Sequence, residues 1–111
     1  MNGVATSMAD IEKLVETAKK NGHDYTTDQV IVSSLQDWAK ELLDEGFEGS
    51  YFTPKVDGNQ IHITDVMGKE VTTLSVPDTS YVAAFKKDGA AVVHGIELAI
   101  RDQIDNGKIK F

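Results

Sequence analysis

Residues 51–76 read YFTPKVDGNQIHITDVMGKEVTTLSV, and the fold turns on this stretch. Here the sequence takes on a period of two, with β-branched and turn residues interleaved, as strands with one buried face require. Asp57-Gly58 is a hairpin signal between the runs Tyr51–Val56 and Gln60–Val66, because glycine supplies the positive φ that tight hairpin turns need. Met67-Gly68 reverses the chain again before Lys69–Val76. The pattern predicts a three-strand antiparallel meander in which Ile61 and Ile63 share one face and His62 points to the other.

Both flanks change to a helical period. Upstream, Ile11, Leu14, Val15 and Ala18 follow Ser7 and Asp10, which resemble a capping box, and Asn21-Gly22 supplies a left-handed stop. A first helix over about Ala9 to Lys20 follows. Thr26 and Thr27 offer a second cap, and Ile31, Leu35, Trp38 and Leu42 form one stripe of a second helix that Gly46 ends. Trp38 lies in that apolar register, which makes it a core anchor in preference to an exposed stacking platform. After Pro77-Asp78 breaks the sheet, Val82, Phe85, Val92, Val93, Ile96, Ala99, Ile100 and Ile104 resume helical spacing as far as Gly107. Asp88-Gly89 divides this segment into a short and a longer piece. Tyr81–Lys86 fits either helix or a fourth strand, and the alternating tail Lys108–Phe111 fits an added edge strand. The fold class is therefore α+β: two N-terminal helices, a three-strand antiparallel meander and a C-terminal helical segment packing on one sheet face. Residues 1–8 lack periodicity and are expected to be disordered, leaving residues 9–111 as a single domain.

Composition agrees with one core. In 111 residues, 41% hydrophobic and 26% charged content excludes a disordered, collagen-like or coiled-coil chain. The longest apolar run, Tyr81 to Phe85, is far short of the ~20 residues that span a bilayer, and no basic segment leads into an apolar stretch at the N-terminus. Neither membrane insertion nor secretion is expected. The absence of cysteine removes disulfides, thiolate catalysis and cysteine-rich zinc sites, and fits a cytoplasmic protein.

Chemical motifs are missing. His23, His62 and His94 are 39 and 32 residues apart with no helical His pair, so no metal site is expected. Neither Ser33-Ser34 nor Gly49-Ser50 sits in a nucleophile elbow, and no phosphate-cradling glycine loop occurs. Gly46-Phe47-Glu48-Gly49 outlines a G-x-x-G clamp for a nucleic-acid backbone, but its glutamate and the acids before it repel phosphates. No catalytic residue, metal or cofactor is assigned. A small enzyme whose site is assembled from distant residues stays as an alternative.

Charge is the informative feature. The chain carries −7, yet Asp24 to Glu48 holds seven acids against one base, a net of −6 in 25 residues. Asp37, Glu41, Asp44 and Glu48 are spaced by four, three and four, a helical stripe about 16 Å long if the helix reaches that far. Like charges at this spacing cost helix stability, so either solubility or a basic partner accounts for them. The first reading makes the stripe a solvated face. The second makes Asp37, Glu41, Asp44 and Glu48 a binding site for a basic protein, with direct nucleic-acid binding disfavoured by sign.

Residues Asp10–Val30, DIEKLVETAKKNGHDYTTDQV, carry Leu14, Ala18, Gly22, Tyr25 and a Thr27-Asp28 helix start. In these features the segment resembles the nitrogen-fixation-type leader found in precursors of ribosomally made modified peptides. The resemblance covers about a fifth of the chain, implies a leader-like precursor protein and assigns no functional residue. The function expected from the residues themselves is a non-enzymatic acidic regulator or inhibitor, of the immunity, antitoxin or phage anti-defence kind, docking a basic protein surface through the acidic helix. A generic interaction module using an apolar sheet or helix face is the alternative.

Overall fold

The computed structural model describes residues 4–47 and 51–110. In chain order these form α1 (Met8–Lys20), α2 (Thr27–Gly46), β1 (Thr53–Asp57), β2 (Gln60–Thr64), β3 (Glu70–Ser75) and α3 (Tyr81–Asp105). The architecture is α+β, with the helix, helix, meander, helix order that the periodicities predict.

Local chemistry sets the helix ends. The Thr26 hydroxyl accepts from the Gln29 amide at 3.1 Å while Gln29 Oε1 accepts from the Thr26 amide at 2.9 Å, a reciprocal capping box that starts α2. At α1 the Ser7 hydroxyl accepts from the Asp10 amide, and Asp10 reaches back one residue further, to the Thr6 amide at 3.0 Å. Asn21-Gly22 and Asn106-Gly107 end α1 and α3 alike: each glycine is left-handed, and its amide and the one after it return to carbonyls of the last turn. Gly46 ends α2 differently, without a positive φ; a Cβ there would lie 2.7 Å from Ile104 Cδ1, so the glycine lets α2 and α3 approach.

The sheet order is β1-β2-β3, antiparallel throughout. Gly58, at φ 57, makes the β1–β2 turn, and Asp65 Oδ1 accepts from the Met67 and Lys69 amides to shape the β2–β3 turn. Ile61 and Ile63 are fully buried on the face that meets the helices, with Leu74 beside them, while His62 lies on the solvent face. The helices complete one core, in which Ile31, Leu35, Leu43, Phe85, Val93 and Ile100 have almost no exposed surface.

One expectation, the edge strand at the tail, needs correction, and the helix ends follow the sequence more closely. Of the N-terminal residues, Met8 opens α1, one residue before the expected start, and Ala5 is buried under α3, where Gly89 leaves room for the Thr6 carbonyl. The first three residues lie outside the described ones. Tyr81–Lys86 is helix, capped by the Ser80 hydroxyl, and not a fourth strand. Asp88, at φ −160, does divide α3, and its own carboxylate caps the second piece through the Ala91 amide. The tail adds no edge strand over its described residues, because the Lys108 and Ile109 amides both donate to the Gln103 carbonyl and Ile109 turns into the core. Gly46 ends α2 as the sequence predicts, so the helical stripe runs no further than this, and Glu48 lies outside the described residues.

Candidate functional site

On α2 the apolar stripe faces inward and Asp37, Glu41, Asp44 and Glu45 are exposed on the opposite side. These four acids and Lys40 line one shallow depression. Lys40 is already engaged: its Nζ donates to Asp44 at 2.9 Å and to the Phe52 carbonyl at 2.8 Å, tying the helix to the chain entering β1. Arg101 of α3 stands 3.7 Å from Glu45, and Lys86 of α3 pairs with Asp28 at 2.8 Å. Three cations thus temper the acidic segment, two of them from an element far away in sequence. Asp37 and Glu41 have no ion-pair partner among the described residues, so the uncompensated charge sits on the middle turns of α2. The structure brings together Asp37, Glu41 and Asp44 of the four acids singled out from the sequence.

A second polar group spans the solvent face of the sheet. His62 on β2 lies between Asp57 of β1, at 3.6 Å from Nε2, and Glu70 of β3, which bonds Nδ1. The Thr73 hydroxyl donates to the same Glu70 oxygen at 2.9 Å. These hydrogen bonds, that of His62 first, hold the Glu70 carboxyl below its ordinary range. The Thr73 hydroxyl also stands 3.3 Å from His62 Nδ1, so the three side chains form one cluster. The arrangement is a clamp across three strands, visible only once the register places these residues side by side.

A separate cleft lies between β3 and α3. It is about 490 Å³, walled by Leu74 and Val76 on one side and by Ala91, Gly95 and Ala99 on the other. Asp78, Lys87 and Asp88 stand at the end near the start of α3, and Gln103 at the other. Gln103 Oε1 is buried there without a hydrogen-bond donor. Tyr81 also lines it, and burial pushes its phenol up to about 12. None of the lining residues is a histidine. The sequence reading missed this cleft, although the four-residue spacing of Ala91, Gly95 and Ala99 was a visible sign of a helix face without bulk.

Among the described residues no three His, Asp or Glu side chains converge to hold a metal ion, and no helix is long and apolar enough to cross a membrane. Compared with protein-family models, curated proteins and solved structures, the chain matches none.

Proposed function

We propose that the protein is a small non-enzymatic regulator that docks onto a basic protein surface through the acidic face of α2. The observation that carries this reading is the exposure of Asp37 and Glu41, neither of which has an ion-pair partner among the described residues. A one-sign patch steers an oppositely charged partner and raises its association rate without any catalytic group. The same field opposes phosphate backbones, whose binding depends on lysine and arginine releasing counterions.

The test uses a partner recovered by cross-linking to the full chain. Substituting Asp37→Asn, Glu41→Gln, Asp44→Asn and Glu48→Gln together is expected to slow association at least tenfold at low ionic strength and to flatten its salt dependence. A variant that folds and associates at the wild-type rate at every salt concentration rules the α2 face out.

A further inference from the structure

The two edges of the sheet differ. On β1, Pro54 has no N–H to offer, and Gln36 Oε1 accepts from the outward Val56 amide at 3.0 Å. With Lys40 on the Phe52 carbonyl, α2 closes that edge. On β3, pairing with β2 decides which groups point outward. The Val76 amide donates to the Asn59 carbonyl, so in the alternating antiparallel ladder Ile61 and Leu74 exchange hydrogen bonds, whereas Gln60–Ser75 and His62–Thr73 do not. The main-chain N–H and C=O groups of Thr73 and Ser75 therefore face away from the sheet. Among the described residues nothing pairs with them.

Both residues line the cleft against α3, where Ala91, Gly95 and Ala99 recur once per turn and Gln103 Oε1 lacks a donor. We propose that this cleft takes an extended peptide from a partner protein, which adds a fourth strand to β3, faces α3 with small uncharged side chains and places a basic residue near Asp78 and Asp88. A strand is the ligand whose N–H and C=O groups alternate at the spacing of Thr73 and Ser75. Small side chains fit because the helix wall is itself built of alanine and glycine, and a hydroxyl, amide or main-chain N–H of the peptide satisfies Gln103. At that end Lys87 stands 3.8 Å from Asp78, which leaves Asp88 as the acid without an ion pair among the described residues, and in a chain of −7 this sets the preference for a basic flank. A second copy of this chain is a poorer occupant. Six residues of β3 span about 20 Å, and pairing two such strands buries well under the roughly 800 Å² per partner that a stable dimer needs.

The experiment selects phage-displayed random decapeptides on the full chain and follows an enriched peptide by amide NMR. Enriched sequences are expected to alternate small residues and to carry lysine or arginine. Binding should slow amide exchange at Thr73 and Ser75 and shift Gly95. A Cβ at Gly95 meets nothing within 4 Å and the position is exposed, so Gly95→Leu, its fold checked by its amide spectrum, fills the cleft and should weaken binding at least tenfold where Gly95→Ala changes it little. The proposal is overturned if no peptide is enriched, if Gly95→Leu binds as well as wild type, or if the protein forms a dimer that Gly95→Leu abolishes.

Discussion

The Trp38 indole donates to the Val93 main-chain carbonyl at 3.0 Å, joining the middle of α2 to the middle of α3. Trp38 is only 4% exposed, so the same side chain supplies packing volume and the polar link between the two helices. Trp38→Phe keeps the aromatic bulk, deletes the hydrogen bond and leaves a small void. The expected cost is about 1–3 kcal/mol, read as a lower urea midpoint with an unchanged slope.

Trp38 also shows what the sequence makes legible. Its place in a four, three, four apolar register identifies it as core, as the period of two identifies Ile61 and Ile63 as the buried face of the meander. Such features depend on near neighbours in the chain. The partner Val93, the closure of β1 by Gln36, the pairing of Glu45 with Arg101 and the His62 clamp depend on register and on helix docking, which no local pattern encodes. The tail departs from its pattern for a related reason: alternation at Lys108–Phe111 mimics a strand, but the Asn-Gly helix end before it commits the Lys108 and Ile109 amides to the Gln103 carbonyl.

Two glycines of α3 predict opposite outcomes for the same substitution. A Cβ on Gly89 would sit 2.5 Å from the Thr6 carbonyl and 2.9 Å from Phe85 Cζ, whereas one on Gly95 meets open space. Gly89→Ala should destabilise by about 1–2 kcal/mol, net of alanine's better helix propensity, and speed exchange of the Thr6 amide as the N-terminal segment lifts. Gly95→Ala should stabilise by up to about 1 kcal/mol. Equal effects at both positions would contradict the close approach of residues 4–7 to α3.

The His62 clamp gives the acid limb of stability a specific contributor. Glu70 is held below its ordinary value of 4.5, so the folded state favours its ionised form. Its contribution is complete above that value and disappears as pH falls through the lowered folded pKa. Glu70→Gln should therefore flatten the loss of stability below about pH 5, measured as urea midpoints down to about pH 3. Asp10, lowered chiefly by the Thr6 amide, acts in the same direction, and Asp10→Asn should flatten the same limb independently. An acid limb unchanged in both variants would show that neither carboxylate is linked to folding.

Glu41 sets the stability of α2 against its exposed charge. Asp37 and Glu45 stand four residues either side of it, Asp44 three away, and the last turn of the helix has no basic residue to offset the dipole. Each like-charged neighbour costs roughly 0.2–0.5 kcal/mol, while glutamine matches glutamate in helix propensity. Glu41→Gln should therefore stabilise the protein by about 0.5–1 kcal/mol at low ionic strength. The gain should shrink as salt shortens the Debye length to about 3 Å at 1 M, which separates relief of repulsion from a packing effect. Thermal melts of both proteins in low and high salt make the comparison. A gain that salt erases means that the exposed carboxylate opposes folding, as expected of a residue kept for contact with something outside the chain. Equal stability in low salt would mean that Lys40 and Arg101 already neutralise the face, and the case for α2 as the docking surface would fall with it.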